Sequence, residues 1–430
     1  MASTKSADAS RFEAYLERLS LAVRHADRRE PLRAYLTGLL LPGERKSVEP
    51  IAAKLDPLHV RARHQSLHHF VAEAPWSERA VLQVACDYAL AALERHGPIA
   101  AWVVDDTGLP KKGSHSVGVS WQYCGVLGKA ANCQVAVTVS LVNATMSVPA
   151  GFRLYLPESW ARDAERRHRA GVPPEVEFQT KGAIALAQID ELLAEEIPLA
   201  PVVADAGYGA STEFRDALSE RGLSYAVGVL ADTSVWPPGQ EPLPPLARQG
   251  RGAAAKRLRR TPEHQPTTVR ELAQTLPRAA WQTIRWREGT RGSMVSRFAR
   301  VRVRAAHRDY LRTESREAEW LLVEWPSADK EPSRYWLSTV PEDVEMGELV
   351  RLAKIRWRIE RDFQELKDEL GLDHYEGRGW RGFHHHGALC IAAYAFLAAE
   401  RARLSPPAPL AFLVPPRLPK DFRPRGSAAS

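Results

Sequence analysis

Three acidic positions in this chain have local settings that suit chemistry. Asp105 and Asp106 end one short apolar run and Asp205 ends another, as where a buried strand meets a turn. Glu360 lies in a charged stretch with a helical pattern. Carboxylates brought together repel one another unless a cation lies between them. A pair of divalent metal ions meets that need, and such a pair catalyses phosphoryl transfer on nucleic acid.

Each position also has an ordinary structural interpretation, and for each residue taken singly that alternative stays open. Asp105 and Asp106, in the sequence Asp-Asp-Thr-Gly, are typical of an Asx-type turn. Asp205 precedes small residues and suits a helix or turn cap. Glu360 has basic neighbours with which it can form ion pairs on a solvated helix face. Because adjacent strand residues point to opposite faces, one of the two neighbouring aspartates faces a site and the other does not.

The segments around these residues predict the elements that must position them. Residues 134–142 alternate with period two, and 225–229 form an apolar run, so both are predicted strands. Residues 184–195 and 211–221 carry apolar side chains at helical spacing. Another helix is predicted over 346–370, ended by Gly371. Strands that precede helices indicate a mixed α/β core.

Composition divides the 430 residues into several regions. The predicted division is a helical N-terminal DNA-binding domain (1–98), the first part of the α/β core (99–234), a basic β-rich insertion (235–340), the last part of the core with the Glu360 helix (341–404) and a flexible tail (405–430).

Charge is concentrated in the predicted insertion. From Arg248 to Arg316 the chain has 18 basic residues against 5 acidic ones, a balance of +13 in a chain of net charge +7. The net charge of the rest of the chain is therefore −6. Such a block is typical of a surface that binds a polyanion such as DNA. Within it, Arg300, Arg302 and Arg304 alternate with valines and are predicted to share one strand face.

The order of these motifs resembles the DDE transposases of bacterial insertion sequences, in the group that carries a Y-R-E-K signature. Residues 104–113, with their continuation through 116–125 to 132–135, resemble that family's first-aspartate block. Residues 204–209 resemble its second block. The similarity extends over most of the chain, from about residue 30 to 400.

The signature itself is matched at three of its four positions. Arg356, Glu360 and Lys367 have the spacing of its Arg, Glu and Lys, whereas Ala353 occupies the position of its Tyr. This departure concerns one DNA-contacting or packing role and leaves the Glu in place.

The resemblance implies an RNase H-like core, with a mixed sheet flanked by helices. A central strand then carries the first Asp, another strand end the second, and a late helix the Glu. The implied catalytic and metal-binding residues are Asp105, Asp205 and Glu360. Asp105 is preferred to Asp106 because the family's motif places its ligand directly after the apolar run. The implied cofactor is a pair of Mg²⁺ ions, for which Mn²⁺ can substitute.

The resemblance also implies the reaction and its partners. Water first frees a 3′-OH at the end of the element, and a 3′-OH then attacks target DNA. The expected partners are double-stranded DNA, both terminal inverted repeats and target, and a second copy of the chain in a synaptic dimer. The expected location is the bacterial cytoplasm, with nucleoid association on DNA binding and no membrane contact. The alternatives are an RNase H-like nuclease without strand transfer and a non-catalytic DNA-binding regulator derived from a transposase.

Further residues are assigned to DNA contact, each against a plainer role. Arg356 and Lys367 are predicted to contact backbone phosphates, and the alternative is that they form surface ion pairs. Trp357 is predicted to stack on an unpaired base, and the alternative is core packing. The three insertion arginines are predicted to form a strip that contacts phosphates, and the alternative is a simply solvated face. Weaker candidates are Trp320, Trp325, Trp336, Lys111 and Lys112.

Cysteine and histidine give no support for another metal site. The four cysteines are scattered without a Cys-x-x-Cys pair, which predicts buried free thiols. His384, His385 and His386 are consecutive. On a helix they diverge by about 100° each and cannot all face one ion.

Overall fold

Residues 134–142 lie within β3 (Lys129–Val142) in the computed structural model of the chain. The structure describes residues 2–246, 256–289 and 292–404, without the side chains of 2–9 and 289. The predicted tail, Arg248 and Arg251 therefore lie outside the described residues. The described residues divide into two units: unit 1 holds 2–198 and 357–404, and unit 2 holds those between 199 and 356.

Unit 1 is built around an antiparallel sheet with β3 at its centre. One edge of β3 pairs with β1, and the other edge pairs with β2 and then β4. The strands are β1 (Ala101–Pro110), β2 (Ser120–Cys124), β3 and β4 (Ser147–Leu154). The helices are α1 (Ala2–Ala22), α2 (Arg29–Leu40), α3 (Val48–Leu55), α4 (Val60–His68), α5 (Glu78–Leu93), α6 (Glu158–Ala161), α7 (Ala164–Arg169), α8 (Lys181–Ala194), α13 (Trp357–Asp368) and α14 (Trp380–Leu404).

Both faces of β3 are covered, so its alternating pattern does not mark a solvent-exposed face. Its residues from Cys133 to Val142 are all buried. Two of the polar side chains among them find partners: Gln134 donates to the Val117 carbonyl at 2.7 Å and Thr138 to the Asp105 carbonyl at 3.0 Å, whereas the Ser140 hydroxyl has none. Hydrogen bonding offsets the cost of burying these groups.

The N-terminal helices pack against α14 within unit 1. The Tyr15 hydroxyl donates to the Ala392 carbonyl at 2.9 Å, and Arg11 pairs with Glu400 at 2.6 Å. His384, His385 and His386 are buried, and each has a ring nitrogen within 3.0 Å of a backbone carbonyl, so all three serve packing. No helix in the described part of the chain is long and apolar enough to cross a membrane.

Unit 2 contains a mixed sheet. Its strand order is β5-β6-β12-β11-β10-β7-β8, with β9 also paired to β10, and the β5–β6 pair is parallel. The strands are β5 (Val202–Ala204), β6 (Tyr225–Val229), β7 (Ser234–Trp236), β8 (Thr267–Thr268), β9 (Gln282–Gly289), β10 (Gly292–Ala305), β11 (Glu319–Trp325) and β12 (Arg334–Ser338). The helices are α9 (Ala206–Gly209), α10 (Thr212–Glu220), α11 (Val269–Thr275) and α12 (Met346–Lys354).

The predicted fold class is confirmed, since antiparallel strands, a parallel strand pair and flanking helices match an RNase H-like α/β core with a helical N-terminal region. The strand predicted at 300–304 lies within β10, and β11 and β12 also fall within residues 235–340, the predicted insertion.

Two local interpretations of the sequence are wrong. The helix predicted over 346–370 is two helices, α12 and α13. The Ile355 N–H bonds to the Leu352 carbonyl three residues back, which tightens and ends α12. The alternative interpretation of Asp105-Asp106-Thr107-Gly108 as an Asx-type turn is also wrong, because β1 continues to Pro110.

Gly108 explains why β1 continues. A Cβ at this position would lie 2.7 Å from Cys124 Sγ, so only glycine allows the backbone to approach so closely. Gly108 therefore serves strand packing and not a turn, and both aspartates lie within the strand.

Candidate active site

The adjacent aspartates of β1 lie on opposite faces of the unit 1 sheet, as their neighbouring positions in a strand require. Asp106 forms an ion pair with Lys181 at the start of α8, with its Oδ2 2.6 Å from Nζ. The Asp105 Oδ1 accepts a hydrogen bond from the Asp106 N–H at 2.9 Å. The two carboxylates therefore have different surroundings.

The strand register shows which helices cover each face. Asp105 is aligned with Thr138 of β3, which is aligned with Phe152 of β4. A Cβ on Gly387 of α14 would touch the Phe152 ring at 2.3 Å. On the opposite face, a Cβ on Gly151 would lie 2.4 Å from Gln188 of α8. Asp105 therefore faces the side covered by α14, and Asp106 faces α8.

Glu360 lies on the same side of the unit 1 sheet as Asp105. It is exposed in the first turn of α13, which packs against β4 and α14. Asp362 of α13 accepts a 2.8 Å hydrogen bond from Tyr394 of α14. The positive end of the helix dipole stabilises a carboxylate in this first turn. The break after α12 thus places Glu360 near a helix N-terminus.

Lys367 connects α13 to the strand that carries Asp105. It is seven residues after Glu360 and therefore lies on the same helix face. Its ammonium group donates to the Gly108 carbonyl at 3.0 Å, and only 9% of the residue is exposed. Burial lowers the pKa of Lys367 below its usual range. In this structure the Lys367 side chain holds α13 against β1.

Asp205 of unit 2 is the N-cap of α9, directly after β5. Its Oδ1 accepts from the Gly207 N–H at 2.9 Å, and its Oδ2 lies 3.7 Å from Arg356 Nη2. The side chain remains 40% exposed. The capping alternative is therefore correct for one oxygen, and the other points to solvent and Arg356.

The small residues after Asp205 have a packing role that the sequence did not reveal. A Cβ on Gly209 would lie 2.1 Å from the Gly228 carbonyl oxygen, so α9 lies directly on β6. The small residues thus let the backbone of α9 approach the neighbouring strand β6 closely. This close approach fixes the turn that presents Asp205.

The donor chemistry of the predicted carboxylates fits a hard divalent cation. Carboxylate oxygens are the ligands that Mg²⁺ prefers. Glu360 is exposed and Asp205 is half-exposed, so neither has to be taken out of water to bind an ion. Among the described residues of either unit taken alone, no group of three or more His, Cys, Asp or Glu side chains is placed to hold a metal ion.

The insertion arginines lie on one half-buried face of β10 in unit 2. Each guanidinium donates to a backbone carbonyl: Arg300 to Val344, Arg302 to Ala318 and Arg304 to Arg316. A carbonyl does not neutralise the charge, and an arginine has five N–H donors. Arg302 also pairs with Glu342 at 3.0 Å.

The insertion tryptophans contact these and neighbouring cations. The Arg300 guanidinium lies 4.4 Å from the Trp320 ring centroid, and Arg297 lies 3.9 Å from that of Trp325. The side chain of Trp336 packs near Lys354, with 5.6 Å between Nζ and the ring centroid. The two arginine pairs make an arginine and tryptophan surface on β10 and β11, whereas the Lys354 side chain beside Trp336 is only 8% exposed.

Trp357 lines a cavity of about 290 Å³ in unit 1, together with Arg358, Arg361 and Asp362. The Arg358 guanidinium lies 4.7 Å from the Trp357 ring centroid. Asp362 is 6% exposed, and burial raises its pKa to about 6. No local pattern in the sequence marks this carboxyl group, because its surroundings include Tyr394 of α14, 32 residues away in the chain.

We expect Asp362→Asn to stabilise the protein at neutral pH by about 1–3 kcal/mol. The pKa of Asp362 is raised from its ordinary value near 3.8 to about 6, so its ionisation costs stability as pH rises through that window. The asparagine oxygen still accepts from Tyr394. The stability difference between variant and wild type should be near zero at about pH 4 and constant above about pH 6.5. Urea unfolding across this pH range measures the stability difference. A difference that does not change with pH would contradict the prediction.

Lys181 is another functional neighbour that the sequence did not identify. Its pairing with Asp106 joins residues 75 positions apart, and no local pattern signals it. Only the packing of α8 on the sheet brings the two charges together.

The chain belongs to the DDE superfamily endonucleases. The sequence profile of that family matches residues 16–293, most of the chain, and the matched range contains Asp105 and Asp205 and ends before Glu360. The family predicted from the motifs is confirmed. The chain is also similar to a probable transposase for insertion sequence element IS701 from Microchaete diplosiphon, with 32% identity over 166 residues. That alignment covers 38% of this chain and 40% of the relative.

Proposed function

We propose that the protein is a DNA transposase that cuts at the ends of an insertion sequence and joins the 3′-OH ends to target DNA. Family membership carries this proposal, supported by the similarity to a probable insertion-sequence transposase. The arrangement within unit 1 agrees with it, because Asp105 and Glu360 are on the same side of the sheet.

The proposed metal ligands are Asp105, Asp205 and Glu360. Asp106 is the poorer candidate, because its carboxylate is paired with Lys181. A pair of bound Mg²⁺ ions would activate the attacking oxygen and stabilise the leaving oxygen. The protein's own contribution is to hold the carboxylates on rigid elements: Asp105 within a paired strand, Asp205 on a helix cap and Glu360 on a helix anchored by Lys367.

Arg356 is proposed to position the DNA backbone near Asp205. Its guanidinium lies 3.7 Å from the Asp205 carboxylate, so it orients that carboxylate and can offer other donors to a phosphate. Trp357 is proposed to stack on an unpaired base. Lys367, which contacts the Gly108 carbonyl of β1, is proposed to contribute positive charge close to the strand that carries Asp105. The N-terminal helices are proposed to contribute further DNA contacts.

The partners follow from the proposed reaction. Two element ends must be cut and joined together, which calls for a dimer in a synaptic complex with double-stranded DNA. We place this reaction on the bacterial nucleoid in the cytoplasm.

A cleavage and joining assay tests the proposal. The full chain is incubated with a labelled duplex that carries the terminal inverted repeat of its own element, a target plasmid and Mg²⁺ or Mn²⁺. We expect cut 3′ ends and joined products, and none when EDTA removes the metal. Cut ends without joined products would contradict strand transfer, and products in EDTA would contradict a metal-dependent mechanism.

The insertion arginines are expected to contribute DNA affinity through charge. Arg302→Gln keeps a polar side chain that can donate hydrogen bonds and removes one positive charge. If Arg302 contacts a phosphate, affinity falls alike for all duplex sequences and the slope of log K against log salt concentration decreases in magnitude by about 1. Fluorescence anisotropy at several salt concentrations measures both. Arg285→Gln, which changes an exposed arginine of β9, is the matched control. An equal loss of DNA affinity in both variants would contradict a DNA-binding strip formed by Arg300, Arg302 and Arg304.

A further inference from the structure

Strand β2 presents two aromatic rings to solvent. Trp121 is 75% exposed and Tyr123 is 64% exposed. They lie two residues apart and therefore on the same face of the strand. Cys124, on the other face, packs against Cys133 and Val135. Exposed Trp and Tyr side by side need an explanation, because burying large rings is normally favourable.

The exposed surface continues into the turn that joins β2 to β3. Val126 is 58% exposed and Leu127 is 45% exposed, and every residue from 125 to 130 is exposed. Within the described part of the chain β2 pairs only with β3. The β2–β3 hairpin therefore projects an apolar tip next to the two rings.

The chain segment that contains this hairpin carries only positive charge, since no acidic residue occurs between Asp106 and Glu158. Asp373 and Glu376 line the same cavity as Lys112, so Lys112 lies near carboxylates of another part of unit 1. Lys129 at the start of β3 and Lys112 after β1 are both exposed. The Lys112 loop is held beside β3, because the Asn132 side chain donates to the Lys111 and Gly113 carbonyls at 2.7 and 2.9 Å.

The strand register brings this loop next to the aromatic rings. Asn132 is aligned with Trp121 across the β2–β3 pair, so Lys112 lies near the Trp121 end of the surface. Lys129 is aligned with Cys124, so its side chain starts from the opposite face of the hairpin, at the exposed turn next to the Tyr123 end. One cation therefore lies at each end of the exposed aromatic pair, and cations with aromatic rings are the composition of surfaces that bind single strands.

The spacing of the rings favours unpaired bases over a duplex. Positions two apart in a strand are separated by about 6.8 Å, twice the rise of about 3.4 Å between stacked bases. Bases in a duplex also cover each other's faces, so neither ring can stack there. A second copy of the chain is a poorer partner, because β2 itself is uncharged and pairing two β2 edges would bring the lysines beside each hairpin, Lys112 and Lys129, close to those of the other copy.

We propose that Trp121 and Tyr123, with Lys112 and Lys129, form a binding surface for an unpaired DNA strand. The proposal rests on the proposed function, since cutting and joining of element ends exposes such strands. The two rings stack on successive unstacked bases, and the lysines contact the flanking phosphates. Val126 and Leu127 shield one side of the stack from water.

The test compares a 15-nucleotide fluorescein-labelled oligothymidylate with a random-sequence duplex of that length, by anisotropy, in EDTA. We expect the double variant Trp121→Ala/Tyr123→Ala to bind the single strand at least about tenfold more weakly, and to change duplex affinity less than about twofold. Trp121→Phe/Tyr123→Phe keeps the rings and should retain most of the affinity. Tyr310→Ala removes an aromatic ring that is 49% exposed in unit 2 and is the matched control.

Two outcomes overturn the proposal: unchanged single-strand affinity, or an equal loss of affinity for both DNA forms. Unchanged affinity together with a lower mass of the variant in sedimentation would show that the surface joins two copies of the chain. The binding assay needs neither metal nor cleavage. It is therefore repeated in Asp205→Ala, which separates failure of this inference from failure of the proposed catalysis.

Discussion

Asp105→Asn and Asp205→Asn are each expected to lower strand cleavage by about 10³-fold or more, whereas Asp106→Asn stays within about tenfold of wild type. The reason is the difference in their surroundings. Asp106 is paired with Lys181 on the α8 face, while Asp105 faces the side of the sheet where α13 presents Glu360. Asparagine keeps the shape of each side chain and removes the charge that a metal ion requires.

The measurement is the initial rate of cleavage on a labelled element end, with Mg²⁺ and with Mn²⁺. Asp106→Asn is the matched control, because it makes the same chemical change one residue away in the same strand. Far-ultraviolet circular dichroism and a thermal melt check that each variant is folded. An inactive Asp106 variant beside an active Asp105 variant would reverse the assignment.

Glu324→Ala is expected to destabilise the protein by about 3–5 kcal/mol. The Glu324 carboxylate lies 2.8 Å from the Lys354 ammonium, and their side chains are only 2% and 8% exposed. Lys354 lies between two rings, with its Nζ 4.5 Å from the Trp286 centroid and 5.6 Å from that of Trp336. Removing the carboxylate leaves a buried ammonium without its counter-ion. Burial already lowers the pKa of Lys354.

The double variant Glu324→Leu/Lys354→Met serves as the control for this prediction. It removes both charges and keeps apolar volume, so its stability should lie within about 1–2 kcal/mol of wild type. Guanidinium unfolding followed by tryptophan fluorescence measures all three proteins. A single variant as stable as the double one would show that the pair contributes little to holding α12 on the insertion strands.

The elements with strong local patterns were predictable from the sequence. The period-two pattern of 134–142 predicted β3, and the apolar run 225–229 predicted β6, because side-chain alternation and β-branched residues favour extended backbone wherever they are buried. The Asx-type turn that the sequence left open for the Asp-Asp-Thr-Gly segment did not form. Its propensity was overridden by a tertiary contact, the packing of Gly108 on Cys124.

The break between α12 and α13 was also not predictable. Residues 346–370 carry helix-compatible side chains throughout, and nothing in the local sequence marks Ile355 and Arg356 as an interruption. Helix ends without a proline or glycine depend on which tertiary contacts each half makes. Here α12 packs on the strands of unit 2, and α13 packs on β4 and α14 of unit 1.

The family, the α/β class and the identity of the candidate carboxylates could be predicted from the sequence, because they depend on residue types in a fixed order. The folded structure was needed to see that Asp105 and Asp106 face different helices and that Lys367 is buried against Gly108. It was also needed to see that Trp121 and Tyr123 are exposed. Burial and charge pairing depend on residues that are distant in the chain, so local sequence patterns do not reveal them.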